Sequence, residues 1–310
     1  MLFMGQDTRL TAPRRWRHWK RTANAYLFLI PLLIYLPVLF AYPLLYNSLI
    51  GFQHYTMRSV ITGAAPFIGL DNFAEVLRNP VTLLAIKNTA IFTGCSLALQ
   101  YVIGILLALL FKRRFPLSGV FRGLMLLPWL LPSIATVTIW LWLFDALNGL
   151  INYLLIQLHL IAQPIPWLNS PTTAMASIIT VNVWVGVPFN LVILYGGLQA
   201  ISAELYEAAR IDGASAWQRF WFVTMPLLRP VNAILLLLGL IYTLKQFDII
   251  YILTNGGPGN ATQVLSTWSY HLSFHDMHFG QGAAVGNIML LIACAAAVRY
   301  VFFAKPAPDR

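Results

Sequence analysis

The feature that most constrains this chain is the length of its uncharged stretches. Residues 22–57 and 146–203 contain no Asp, Glu, Lys or Arg. Lipid offers no hydrogen-bond partners to a backbone, so a chain crosses a bilayer as a helix of about 20 mostly apolar residues. Each stretch is long enough for at least one crossing. The chain is therefore predicted to be an integral membrane protein.

Composition supports this and argues against a nucleic-acid partner. Of the 310 residues, 59% are hydrophobic and 10% are charged, whereas ordinary globular chains carry about 25% charged residues. The formal net charge is +10, but the basic residues lie at the ends of apolar runs and do not form a patch with interleaved contact residues.

The apolar pattern predicts an all-α integral membrane protein with six transmembrane helices. The spans are predicted at residues 25–50, 88–111, 123–144, 174–198, 227–253 and 283–303. They divide the chain into a basic tail at 1–24, a membrane domain at 25–304 and a short tail at 305–310. The first uncharged run far exceeds the 7–15 apolar residues of a signal peptide, so it is predicted to be a retained span.

Charge on the connections predicts the orientation. Residues 145–173 and 254–282 contain no Lys or Arg, whereas the N-terminal tail and the alternate connections are basic. The positive-inside rule then places both termini in the cytoplasm. Residues 147–161 are predicted to form an external amphipathic segment. The alternative, a seventh span, would put the C-terminus outside.

The connection at residues 202–226 is predicted to be a cytoplasmic helix-turn-helix. Gly213 suits the left-handed residue that ends a helix. Ser215 and Gln218 have the spacing of a capping box that starts another, and Pro226 is predicted to bound the next span. The loop can be read either as a docking element for another protein or as an amphipathic linker on the inner leaflet.

Residues of this loop match a known motif. The pattern Glu-Ala-Ala-x-x-Asp-Gly-Ala resembles the EAA loop of binding-protein-dependent ABC importer permeases. In that family the first short helix of the loop docks into a groove on a separate ATP-hydrolysing subunit. The resemblance implies ATPase coupling through Glu207, Ala208, Ala209, Asp212, Gly213 and Pro226.

A second resemblance extends the match along the chain. Residues 247–262, with the run Thr-x-Gly-Gly-Pro-Gly-Asn, resemble the carbohydrate branch of this family, the maltose and glycerol-3-phosphate type. The motifs at 69–73 and 127–132 are also similar. The resemblance implies a type I importer (MetI-like) fold in the cytoplasmic membrane of a bacterium or archaeon. It also implies a second homologous permease subunit, two ATP-binding subunits and an extracytoplasmic solute-binding protein. The large outer insertion of some maltose-type subunits is missing, so contacts that depend on it are not expected.

The sequence predicts that energy enters through a partner. No Gly-x4-Gly-Lys-Ser/Thr motif occurs, and the glycine-rich run at 255–260 is not followed by Lys-Ser or Lys-Thr, so it is predicted to form turns rather than a phosphate cradle. No catalytic constellation is visible. The chain is predicted not to be an enzyme and to bind no cofactor directly, with ATP and magnesium on the partner ATPase.

Polar and aromatic residues at membrane depth predict a solute pathway. Asn182 and Phe189 in the fourth span, and Tyr242 and Gln246 in the fifth, are predicted to line one cavity in the outer half of the membrane. Gly186 and Pro188 are predicted to interrupt the fourth span.

The maltose-type resemblance implies which positions contact the sugar. These are Asn182, Val185, Gly186, Phe189, Tyr242, Thr243 and Gln246. Aromatic rings can stack on a sugar face while amides hydrogen-bond hydroxyls. The alternative for each residue is ordinary packing or an interhelical hydrogen bond.

Five further ionisable residues carry open alternatives. Lys245 and Asp248, three residues apart, are predicted to form a structural ion pair. The alternatives are recognition of an anionic sugar by Lys245, or an ion-coupled pair in a secondary transporter driven by an ion gradient. His271, His275 and His278 are predicted to be solvated or interfacial, and no metal site is expected because no fourth donor follows their spacing.

Overall fold

The computed structural model describes residues 29–113 and 115–303, and this part of the chain is helical. Within it, β-structure is limited to an isolated antiparallel bridge between Gln53 and Phe67. The predicted all-α class is confirmed. The predicted tails at 1–24 and 305–310 lie outside the described residues.

The first helix, α1, spans Leu29–Ile50 and contains a π-helical turn at Pro37–Ala41. The chain divides into two units between Leu49 and Ile50. The α1 side chains are exposed and apolar over nearly their whole length, which suits a helix surrounded by lipid or by other subunits.

The second unit contains the remaining helices. In chain order they are α2 Met57–Thr62, α3 Asp71–Arg78, α4 Pro80–Lys112, α5 Ser118–Met125, α6 Leu127–Leu130, α7 Ser133–Leu143, α8 Leu150–Gln157, α9 Pro171–Ala200, α10 Ala203–Ile211, α11 Ala216–Arg219, α12 Met225–Leu227, α13 Arg229–Leu244, α14 Asp248–Thr254, α15 Leu265–Tyr270 and α16 Phe279–Phe303.

Five helical segments of the described chain are long and apolar enough to cross a membrane, and a bent pair makes a sixth candidate. The bent pair occupies the predicted third span, where residues 118–130 and 133–143 meet at 97°. The predicted third span at 123–144 is therefore a bent pair of helices and not one continuous helix. Leu131 has an extended backbone (ψ 139°) directly before Pro132, because a proline disfavours helical geometry in the residue that precedes it.

The fourth and fifth spans also differ from prediction. Helix α9 continues through Pro188 without a break, so the predicted interruption is wrong. The fifth span instead breaks after Leu244, and α14 begins at Asp248. This break forms one edge of the cavity described below.

The predicted amphipathic segment at 147–161 contains only the eight-residue helix α8. A helix of this length rises about 12 Å and is too short to cross a bilayer, so the alternative of a seventh span is wrong. Its buried Asn152 accepts hydrogen bonds from the Trp167 indole N–H and the Ile165 backbone N–H, which fold the segment back on itself.

Helices α4 and α9 form the most extensive helix pair in the second unit. Hydrogen bonds also connect α4 to the loop after α14. Asn88 donates from Nδ2 to the carbonyl oxygens of Asn260 and Gln263. Thr89 accepts a hydrogen bond from the Leu265 amide at 2.9 Å. These bonds hold the end of the broken fifth span against α4.

Candidate functional site

A cavity of about 400 Å³ lies among α4, the bend between α6 and α7, α9 and α13. All seven predicted sugar-contacting positions line it, so the prediction that the two spans share one cavity is confirmed. The lining residues are Gln100, Trp129, Ser133, Asn182, Val185, Gly186, Phe189, Asn190, Gly239, Tyr242, Thr243, Lys245, Gln246, Phe247 and Asp248.

A buried polar contact fixes the wall between α4 and α9. Gln100 Nε2 donates to the Asn182 carbonyl oxygen at 2.9 Å, and Gln100 is 4% exposed. A Cβ at Gly186 would lie 2.3 Å from this same Nε2. Glycine at 186 therefore leaves the space that the Gln100 amide occupies.

The Asn182 side chain has an unused donor. Its Nδ2 is buried and has no hydrogen-bond partner among the described residues. Buried amide groups normally have partners, and here no protein bond would be lost if the side chain turned towards the cavity. Asn182 is thus available to a ligand with hydroxyl oxygens.

Aromatic rings form one side of the cavity. The Phe189 ring centroid lies 5.8 Å from that of Trp129 and 6.1 Å from that of Tyr242, and the Phe189–Tyr242 pair has an edge-to-face arrangement. The three rings make a continuous apolar surface that presents both faces and edges.

The predicted ion pair between Lys245 and Asp248 is wrong: within the described chain, these two residues do not contact each other as an ion pair. The break after Leu244 separates them onto different helical segments, so the i, i+3 alignment of a continuous helix is lost. Lys245 Nζ instead lies 5.0 Å from the centroid of the Tyr242 ring. Both charged residues line the cavity.

Sequence reasoning missed several cavity residues. Gln100 is a polar residue within an apolar span, the same signal that identified Asn182. Trp129 and Ser133 flank Pro132, whose helix-breaking property marks the bend. Asn190 carried the same signal as Gln100, whereas nothing in the sequence distinguished Gly239.

The loop at 202–226 begins with a capped helix. Ser202 Oγ accepts a hydrogen bond from the Glu204 amide, and α10 follows. Gly213 ends it with φ +78°, and the Ala214 amide donates back to the Ala209 carbonyl at 2.9 Å. The predicted left-handed turn at Gly213 is confirmed.

The second arm starts with the predicted capping box. The Ser215 amide donates to Gln218 Oε1 at 2.7 Å, and the Gln218 amide donates to Ser215 Oγ at 3.3 Å. The arm then continues as a π turn at Phe220–Thr224. Pro226 does not end this arm. It lies in the short helix α12, which leads on to α13, at an early helical position where a missing N–H is tolerated.

Side-chain contacts hold the loop together and fix it to α4. The Tyr206 hydroxyl and Thr224 Oγ1 are 3.0 Å apart and join the two arms. Lys112 Nζ, at the end of α4, lies 4.1 Å from the centroid of the Tyr206 ring. These contacts link both arms of the loop to the end of α4.

The outer surface of the loop is open. Glu207 is exposed on α10, and Ile211 and Phe222 are 83% and 77% exposed. Large apolar side chains exposed on one short loop are typical of a protein-binding surface. Of the other predicted coupling residues, Ala208, Asp212, Gly213 and Pro226 are also exposed, and Ala209 is half-buried.

Comparison with known proteins identifies the family. A family model described as "Binding-protein-dependent transport system inner membrane component" matches residues 100–304, well over half of the chain. The chain belongs to this family. It is a multi-pass inner membrane protein, as the sequence predicted.

Similar permeases match over nearly their full length. The trehalose/maltose transport system permease protein MalF of Thermococcus litoralis is 34% identical over 296 residues, which are 95% of this chain and 97% of that protein. The sulfoquinovosyl glycerol transport system permease protein SmoG of Agrobacterium fabrum is 32% identical over 288 residues, which are 92% of each chain.

A solved structure confirms the importer fold. A chain of a bacterial ABC transporter involved in the import of the acidic polysaccharide alginate superposes with a TM-score of 0.80 and 23% identity, covering 96% of this permease and 100% of that chain. A second structure, with an alginate pentasaccharide-bound periplasmic protein, gives 0.79 and 22%, covering 94% and 98%.

His271, His275 and His278 lie on the connection between α15 and α16. His271 and His275 converge on the carboxylate of Asp276, whereas His278 is not part of this group. Partial burial raises the pKa of Asp276, but hydrogen bonds and charge interactions with His275 and His271 outweigh that effect and hold the pKa below its usual value.

Proposed function

We propose that this chain is the membrane-spanning subunit of an ATP-driven importer that moves a sugar or sugar-like solute into the cytoplasm. A di- or oligosaccharide, a sugar alcohol, a modified sugar or a glycerol phosphate all suit the cavity. The observation that carries the proposal is that all seven positions implied by the maltose-type resemblance line one cavity.

The cavity chemistry suits a polyhydroxylated ligand. The Phe189 and Tyr242 rings offer apolar surface to the C–H face of a sugar. Asn182 and Gln246 supply amide donors and acceptors for its hydroxyls. A cavity of about 400 Å³ is within the usual range for small-molecule sites.

Lys245 adds a charge preference. Its ammonium group lines the cavity and makes no ion pair within residues 29–113 and 115–303, so a carboxylate, sulfonate or phosphate on the cargo can bind it. Asp248 lines the same cavity and can accept hydrogen bonds from hydroxyls. We therefore expect acidic cargo to bind with its anionic group towards Lys245.

The loop at 202–226 supplies the energy input. We expect it to face the cytoplasm and to dock onto one of two ATP-hydrolysing subunits, with Glu207 meeting a basic residue of that subunit. Closure of the ATPases would move α10, and the contact between Lys112 and Tyr206 would pass the movement to α4 and its cavity residue Gln100. A second homologous permease and an external solute-binding protein complete the importer.

The alternative of an ion-driven secondary transporter is not supported. It needed Lys245 and Asp248 as a coupled pair, and they form no such pair. Membership of the binding-protein-dependent family also argues against it.

One experiment tests the proposal. The chain is purified with its co-expressed partners, reconstituted in lipid nanodiscs with the binding protein, and ATP hydrolysis is measured with a panel of solutes. We expect at least one sugar or sugar phosphate to stimulate hydrolysis several-fold, and only when the binding protein is present. Stimulation by amino acids or metal ions alone would contradict the proposed cargo class.

A further inference from the structure

A group of metal-ligand side chains lies away from the cavity, on the connection between α15 and α16. The π turn His271–His275 follows α15 directly. His271 Nδ1 lies 3.3 Å from Asp276 Oδ2, and His275 Nδ1 lies 2.9 Å from Asp276 Oδ1. Each of the two imidazoles therefore contacts one oxygen of the same carboxylate.

The donor atoms are close enough to share one ion. One ligand atom from each of the three residues can be chosen so that all lie within 4.8 Å of one another. Bonds of about 2.0–2.2 Å to tetrahedral zinc place its ligands roughly 3.3–3.5 Å apart. The two nitrogen–oxygen distances, 3.3 and 2.9 Å, are close to that spacing.

The first ligand is held in place by the core. The His271 ring stacks on the Trp268 indole with centroids 5.4 Å apart. Trp268 is buried and donates from Nε1 to the buried Thr82 Oγ1 of α4 at 2.8 Å. Stacking on a buried, hydrogen-bonded indole restricts the orientation of the His271 ring.

A backbone hydrogen bond also connects two of the three residues. The Asp276 amide donates to the His271 carbonyl at 3.0 Å, which places Asp276 at the end of the π turn that carries both histidines. The sequence spacing of His271, His275 and His278 suggested no complete site because the third ligand is a carboxylate, not the third histidine. His275 and Asp276 remain partly exposed, so an ion can enter, and a fourth position is left for water.

We propose that His271, His275 and Asp276 form a binding site for a divalent transition metal ion of the zinc class. Two imidazole nitrogens with one carboxylate oxygen suit Zn²⁺, Ni²⁺ or Cu²⁺, whereas Ca²⁺ and Mg²⁺ prefer ligand sets made of oxygen. The bound ion joins the π turn to the residue that follows it and stabilises this connection. The proposal is independent of what the cavity binds.

The test measures Zn²⁺ binding by the complete importer complex in lipid nanodiscs, by equilibrium dialysis followed by elemental analysis. His275→Ala and Asp276→Asn are compared with His278→Ala, a matched control on the same connection. We expect the wild-type complex to bind one Zn²⁺ per copy of this chain at this site. His275→Ala and Asp276→Asn should each weaken the affinity of that site for Zn²⁺ at least 10-fold. His278→Ala should change the affinity less than about 2-fold.

A second readout separates metal binding from folding. Zn²⁺ should raise the melting temperature of the wild-type complex but not that of His275→Ala, while the two complexes melt together in the presence of a chelator. Co²⁺ in place of Zn²⁺ should give visible absorption that Asp276→Asn changes. Equal Zn²⁺ stoichiometry in the wild type and His275→Ala, or equal losses in His278→Ala, would overturn the proposal.

Discussion

Gln100 donates a hydrogen bond from Nε2 to the carbonyl oxygen of Asn182 at 2.9 Å, which joins α4 to α9 at the wall of the cavity. Because α4 also carries Lys112, which contacts Tyr206 of the coupling loop, one helix connects the loop to the cavity. The predictions below examine each part of this connection.

Gly186→Ala should disrupt the cavity wall. The added Cβ would lie 2.3 Å from Gln100 Nε2, so Gln100 must move and lose its bond to Asn182. Overpacking of this kind costs about 1–3 kcal/mol. We expect solute uptake to fall at least several-fold, measured in proteoliposomes. Gly196→Ala on the same helix is the control, since its Cβ meets nothing within 4 Å, and it should be neutral.

Gly213→Ala should impair the loop through the backbone. Gly213 has φ +78°, and an L-residue in that conformation costs about 1–2 kcal/mol. We expect less ATPase subunit to co-purify with the variant, while Gly213→Asn retains more because asparagine tolerates this conformation. Gly63, at φ +70° with free space around it, is the matched control. A Gly63→Ala variant that lost as much ATPase would show that strain anywhere in the chain, rather than in the loop, is responsible.

Glu207→Gln should weaken docking of the ATPase by removing an exposed charge without changing the shape of α10. Charge-assisted bonds are about twice as strong as neutral ones, so we expect co-purified ATPase to drop several-fold and solute-stimulated hydrolysis to fall with it. The same measurement on Glu204→Gln, one turn earlier on α10, should give wild-type values. Equal effects at the two positions would argue for general electrostatics instead of a specific contact.

Lys245→Gln should change cargo preference rather than abolish transport. If the ammonium binds an anionic group, stimulation of ATP hydrolysis by acidic sugars should fall at least 10-fold relative to neutral ones. Lys87→Gln, an exposed lysine of α4 that does not line the cavity, should leave the ratio unchanged. An unchanged ratio in Lys245→Gln would remove the charge preference from the account.

The spans and the loop were predictable because local rules govern them. A run of apolar residues without charge must form helix in lipid, and the Ser215–Gln218 capping box and the Gly213 turn depend on neighbouring residues alone. The seven cavity positions were predicted from the resemblance to maltose-type permeases. In the structure they line one cavity between α9 and α13.

The errors arose where tertiary packing decides the backbone. No glycine or proline marks the end of α13, so Lys245 and Asp248 were placed on one continuous helix. Pro188 was predicted to interrupt its span, because proline usually breaks a helix. It is buried within α9, which continues through it, as is tolerated where a helix packs against other helices. The proximity of Asp276 to the two imidazoles was likewise not predictable, because it depends on how the π turn folds back.

The central claim is that the cavity of this subunit holds the cargo during transport, and uptake by cavity variants tests it most directly. Complexes with wild-type chain or with Asn182→Ala and Tyr242→Ala combined are reconstituted with ATP and the binding protein, and labelled solute is counted inside the vesicles. We predict at least a 10-fold loss of uptake in the double variant, with the ATPase subunits still assembled. Wild-type uptake by that variant would contradict the claim and assign cargo binding to the partner permease.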